Sequence, residues 1–161
     1  MKKYLTLIAV AVIAISCTTS KPDFVSFVDT SIGTGGHGHV FVGASVPFGA
    51  IQLGPTSIPQ SWDWCSGYHS SDSTVIGFSH THLSGTGIGD LFDITVLPVS
   101  GPVVDCSREG IADKADRSTE ICTPGYYKVQ LDDYNVKVEL TATARVGLQR
   151  YTFPDSKESH I

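Results

Sequence analysis

From Tyr127 onward, apolar residues occupy every second position: Tyr127, Val129 and Leu131, then Val136, Val138, Leu140, Ala142 and Ala144 after the turn-forming run 132–135. A period of two is the pattern of strands that bury one face, so this stretch predicts an antiparallel hairpin. A third strand is expected over 146–153, ending at Pro154-Asp155, and Ser159-His160-Ile161 reads as the start of another. Upstream, apolar runs at 24–28, 48–53, 75–82 and 94–99 read as strands separated by Gly, Pro and Ser loops. After the first two dozen residues, no segment keeps an apolar 3.6 period over ten residues. The predicted fold is therefore all-β, an antiparallel β-sandwich with little helix.

The first residues follow a different rule. Lys2 and Lys3 precede an apolar run of eleven residues at 5–15, interrupted only by Thr6, and Ser16-Cys17 follow. That order predicts a bacterial lipoprotein-type signal peptide over 1–16, with Cys17 as the lipidated residue. The run is too short for a permanent membrane span, which needs roughly 20 apolar residues. A hydroxyl-bearing linker over 17–23 would then lead into one domain over 24–161. The expected location is periplasmic or at the cell surface, with the membrane reached only through the lipid at Cys17. A net charge of −5, more acidic once Lys2 and Lys3 are removed, argues against a nucleic-acid partner. Export permits disulfides, and Cys106 and Cys122, which bracket a charged loop-like segment, form the preferred pair, leaving Cys65 as a small buried residue.

Residues 61–93 hold both tryptophans, three histidines, four aspartates and repeated glycines, with no Lys, Arg or Glu. Aromatic platforms beside small polar side chains and flexible backbone suit a polyhydroxylated ligand better than a core. Trp62, Asp63, Trp64 and Asp90 are the candidates here. If the segment were extended, Trp62 and Trp64 would share a face, with Trp64 expected toward the pocket and Trp62 beneath it. The run Gly33-Thr34-Gly35-Gly36-His37-Gly38 has dinucleotide-loop spacing, yet the next residues, His39-Val40-Phe41-Val42-Gly43, open no helix to receive a pyrophosphate. It reads instead as a glycine-permitted path that brings His37 or His39 close to another surface. The pairs His37/His39 and His80/His82 would each project to one face of an extended chain and could hold zinc or copper. With no converging Glu or Cys, they are read as hydrogen-bonding groups for loop carbonyls or ligand hydroxyls. Glycoside hydrolysis requires two flanking carboxyl groups, and no Glu occurs before Glu109, so no catalytic residue is assigned.

The runs Ile32-Gly33-Thr34-Gly35-Gly36-His37-Gly38-His39, Pro47-Phe48-Gly49, Trp62-Asp63-Trp64-Cys65-Ser66-Gly67-Tyr68-His69 and Gly77-Phe78-Ser79-His80-Thr81-His82-Leu83-Ser84-Gly85-Thr86-Gly87 resemble the N-terminal domain of glycoside hydrolase family 92. The similarity extends from about Phe24 through Arg150-Tyr151-Thr152-Phe153-Pro154 to the last residue. Thr30-Ser31 departs from the family's usual Pro-Phe, and Val42 from a common Pro. The resemblance implies a calcium-dependent, inverting exo-α-mannosidase acting on mannose-containing N-glycans or mannan, commonly α-1,2-linked. In such an enzyme a β-sandwich packs on a larger α/α-barrel, which the chain lacks and which carries the acid, the base and the calcium ligands. The segments 62–69 and 80–89 would then lend loops to one wall of the sugar pocket. A face bearing Trp62, Trp64, Phe78 and Phe92 is expected to meet the barrel. The rival reading, from a different class, is a non-catalytic carbohydrate-binding surface lipoprotein.

Overall fold

A computed structural model describes residues 22–161, so the signal segment, Cys17 and most of the linker lie outside the described residues. The regular half of the domain is an antiparallel sheet of five strands in the order β3-β6-β7-β8-β9, formed by Thr74–Val75, Asp113–Thr123, Tyr126–Leu131, Val136–Ala142 and Gly147–Thr152. The hairpin pairs Val129 with Val138 and Leu131 with Val136, so the apolar positions of both strands share one face. Those residues, with Tyr127 and Leu140, are almost fully buried. Asp113, itself buried, closes the hairpin turn: its carboxylate accepts from the amides of Asp133 (2.9 Å) and Tyr134 (3.0 Å). Burial pushes this carboxyl up, and the amide donors only partly offset it.

The second half is built from shorter pieces. Ala44–Ser45 (β1), Gln52–Thr56 (β2) and Gly77–Ser79 (β4) make a three-stranded antiparallel sheet in the order β1-β2-β4. Val42, Ala44, Leu53 and Phe78 from this half join the same core as the five-stranded sheet. The chain passes from one sheet to the other between Val75 and Phe78. Gly77 at φ 152° makes this corner, and a Cβ there would lie 2.4 Å from the Thr95 side chain. Val99–Ser100 (β5) pairs with Ser159–His160 (β10), so the strand start expected at 159 is present. One turn of α-helix, Arg108–Ile111, precedes β6.

Four expectations change. Residues 24–28 are no strand: Phe24–Phe27 form a 3₁₀ turn started by Asp23, which accepts from the Val25 amide, because a short apolar run broken only at Ser26 and preceded by an Asp cap lacks the period-two alternation that would specify a sheet. The strand expected over 48–53 begins only at Gln52, since Phe48 takes a left-handed φ of 58°. Ile94, at φ 53°, likewise turns the chain, leaving a bridge between Val96 and Phe78 before β5. Phe78 is fully buried in the core and is no part of an exposed aromatic face.

Candidate functional site

The glycine run does what close approach demands. The Val40 amide donates to the Gly33 carbonyl (3.1 Å), and a Cβ on Gly38 would lie 2.1 Å from that same oxygen, so only glycine permits the loop to close on itself. Closure presents His37 and His39 on one rim. His39 has a left-handed φ of 52° and is buried, whereas the His37 side chain is 81% exposed.

Opposite this rim, Trp62–Trp64 form a 3₁₀ turn rather than an extended segment. With three residues per turn, successive side chains diverge by about 120° and point three ways. Asp63 faces the histidines: a single carboxylate oxygen lies 2.7 Å from His37 Nδ1 and 3.3 Å from His39 Nε2. The His37 hydrogen bond is the main cause holding the Asp63 carboxyl below its usual range. Trp62 points outward and is 61% exposed; its Nε1–H donates to the Gly87 carbonyl (2.7 Å), and the His39 ring meets its face edge-on at 4.0 Å. Trp64 points inward, stacks on His69 at 4.3 Å and donates its Nε1–H to Asp72 (2.8 Å). Trp62, expected beneath, is thus the exposed ring and Trp64 the inward one, because the turn replaces the extended geometry on which the expectation rested. The outcome is an open indole beside a carboxylate and two imidazoles, a face suited to stacking on an apolar sugar surface and bonding its hydroxyls.

His80 and His82 do not join this face. Their shared orientation needs a continuous strand, and β4 stops at Ser79. His80 sets Nδ1 against the Ile94 carbonyl (3.2 Å). His82 is sealed inside, stacked on Phe41 at 4.9 Å, with Nδ1 at the Gln52 carbonyl (2.8 Å) and Nε2 at Thr56 Oγ1 (3.2 Å). Burial lowers its pKa to about 4, which keeps the ring neutral and makes it a core group rather than a sugar contact. Asp90 is exposed on the loop that carries Gly87 and, among the described residues, accepts from the neighbouring Leu91 amide alone.

Two further expectations meet the geometry here. Cys65, Cys106 and Cys122 are all free thiols. Cys106 is exposed ahead of the Arg108–Ile111 turn, whereas Cys122 sits near the far end of the 11-residue β6 with Sγ against the Gly43 carbonyl, so the Cys106–Cys122 bridge is not formed. Among the described residues, no group of three or more His, Cys, Asp or Glu is arranged to hold a metal ion. Asp63 shares its oxygen with two imidazoles and Asp90 stands apart, so the face does not fit calcium and no step here is routed through it. The best-engaged glutamates are structural: Glu120 accepts from Tyr68, Tyr127 and Arg117, and Glu139 is held by Arg150. Sequence reasoning assigned no individual site role to Asp72, His69, Arg117 or Glu120. The signal it lacked was spatial, because 45 residues separate Asp72 from Arg117.

Residues 27–161 match the Glycosyl hydrolase family 92 N-terminal domain. The chain is 30% identical over 138 residues to an uncharacterized secreted glycosidase of Arthroderma benhamiae, covering 82% of this chain and 18% of that protein. A family 92 α-mannosidase of Bacteroides thetaiotaomicron, solved in complex with mannoimidazole, superposes with a TM-score of 0.80 at 38% identity, over 86% of this chain and 19% of that one. A family 92 inverting mannosidase of the same organism gives a TM-score of 0.68 at 24% identity, again over 86% and 19%, and shows the fold alone. The chain spans about a fifth of the length of these relatives. A match over nearly the whole described region, on a fold of antiparallel sheets, establishes that this chain belongs to glycoside hydrolase family 92 as its N-terminal β-sandwich domain.

Proposed function

We propose that this domain forms one wall of the mannose pocket of an exported, calcium-dependent, inverting exo-α-mannosidase that acts on mannose-containing glycans, commonly α-1,2-linked. The observation that carries this reading is the convergence of His37, His39 and Asp63 beside the open face of Trp62 in a family 92 domain. Trp62 supplies the stacking platform, and Asp63, oriented by the two imidazoles, accepts from a sugar hydroxyl. Inversion requires an acid and a water-activating base about 6.5 to 9.5 Å apart. That pair and the calcium ligands belong to an α/α-barrel outside the described residues, so this domain binds and orients while the barrel carries out the chemistry. Export rests on the signal pattern at 1–17 and agrees in kind with the secreted fungal relative.

The test is mannose release from an aryl α-mannoside and from α-1,2-mannobiose. A polypeptide extended by the C-terminal remainder found in the relatives should turn over, lose activity with EDTA, and show a raised KM in Trp62→Ala; the 161-residue chain alone should not turn over. Activity unaffected by EDTA removes the calcium assignment. A second reading, a carbohydrate-binding surface lipoprotein without catalysis, draws on the fact that the sugar-like face lies wholly within this chain. Mannobiose binding by an extended polypeptide that shows no turnover would favour it.

A further inference from the structure

Behind the candidate face, a chain of polar contacts runs from the five-stranded sheet to the tryptophan turn. It starts at an irregularity in β6: pairing with β7 shifts register between Asp116 and Ile121, and a bulge of this kind re-aims side chains. Arg117 and Glu120 both lie inside it. Glu120 fixes Arg117 through Nη1 (2.9 Å) and is itself held by the hydroxyls of Tyr68 (3.0 Å) and Tyr127 (2.7 Å), while the guanidinium lies 4.8 Å from the centre of the Tyr68 ring. Two further donors of Arg117 converge on one atom: Nε (2.9 Å) and Nη2 (2.6 Å) both reach the Asp72 carbonyl. The Asp72 carboxylate in turn divides its oxygens. Oδ1 accepts from the Thr74 amide (2.8 Å) and hydroxyl (2.9 Å), and Oδ2 from Gln60 (3.0 Å) and the Trp64 indole (2.8 Å). Trp64 stacks on His69, whose Nε2 lies 3.2 Å from the Gly36 carbonyl, one residue before His37. Both rims of the face therefore rest on one support.

We propose that Arg117 and Asp72 are positioning residues for the sugar face, setting the rotation of the Trp62–Trp64 turn so that Trp62 and Asp63 meet the same ligand. The claim rests on the mannoside reading of the face. A planar guanidinium that delivers two donors to one carbonyl fixes direction as well as distance, which a lysine cannot do. Fixing Asp72 fixes the inward indole, and in a tight turn the orientation of Trp64 sets those of the two residues before it.

The test compares Arg117→Met and Arg117→Lys with the parent 161-residue chain. Two tryptophans give two indole N–H signals by NMR, assigned through Trp62→Phe. Arg117→Met is expected to move the Trp64 signal of the folded 161-residue chain and, in the polypeptide extended by the C-terminal remainder found in the relatives, to weaken α-1,2-mannobiose binding about tenfold, with Arg117→Lys intermediate. If the methionine variant does not fold, the lysine variant decides. An unmoved Trp64 signal in a folded variant overturns the proposal, as does full mannobiose affinity with the signal displaced. A displaced Trp64 signal, where the extended parent polypeptide binds no mannobiose, keeps the support and removes the mannoside reading.

Discussion

The β6–β9 sheet and the loop-rich half that precedes it are made of the same chain by opposite means. In the sheet, alternation buries Tyr127, Val129, Leu131, Val136, Val138 and Leu140 on one face, and long strands satisfy their own backbone. In the other half the strands are two to five residues long, and His39, Phe48, Leu91, Phe92 and Ile94 take left-handed backbone. Non-glycine residues in that region cost on the order of 1 kcal/mol or more each and persist only where surrounding contacts over-determine them. The difference teaches that the sheet is the anchor and the loops are what it anchors. Of these five residues, His39 belongs to the candidate face, and in the hairpin region the left-handed non-glycine residue is Asn135, at the turn rather than inside a strand.

The comparison breaks most visibly at Tyr127. Tyr127→Ala removes a fully buried ring and the hydroxyl that holds Glu120, and should cost roughly 3 to 5 kcal/mol in urea unfolding. A loss below about 1 kcal/mol would show that the sheet is not the anchor. Next comes His82, the most deeply buried imidazole among the described residues of the loop half. Its folded pKa, near 4, is below the ordinary 6.5, so the unfolded chain binds the proton more readily. Stability is therefore complete above pH 6.5 and declines as pH falls toward 4, by about 3 kcal/mol in total. His82→Gln should flatten this component, and an unchanged slope in the variant would reject the assignment. The smallest effect on stability is expected at Trp62, whose ring is largely in water. Trp62→Ala should leave the melting temperature within a few degrees of the parent while raising the KM of the extended polypeptide for mannobiose; a large drop in melting temperature would make Trp62 a packing residue after all.

Much of the sheet was legible in the sequence because its stabilising pattern is local: Tyr127, Val129 and Leu131 announce their face without reference to any distant residue. The glycine path through Gly33 and Gly38 was legible for the same reason, and so was the gathering of aromatic and acidic residues near Trp62. The roles of Trp62 and Trp64 were not, since alternation assumes an extended chain and three residues of 3₁₀ turn rotate each side chain away from its neighbour. His82 was misread because an H-x-H spacing carries no information on where β4 ends. The Cys106–Cys122 expectation failed because spacing along the chain says nothing of the strand between the two thiols. The support under Trp64 could not be seen at all, as its two ends come from residues 72 and 117.

The corner at Gly77 has a consequence for the order in which the chain folds. Strands β7, β8 and β9 close on one another across turns of a few residues, but β3 reaches its partner only across a loop of about 40 residues, Thr74 pairing with Lys114. Closing a loop that long carries an entropic cost that local hairpins escape. Since β3 and β4 are joined through that one glycine corner, docking of β3 on β6 delivers the whole three-stranded sheet to the core in a single late step. In refolding kinetics, Val138→Ala should then slow folding, and Val75→Ala should chiefly speed unfolding. The reverse assignment would mean that the corner forms first and that the loop-rich half, rather than the hairpins, nucleates the domain.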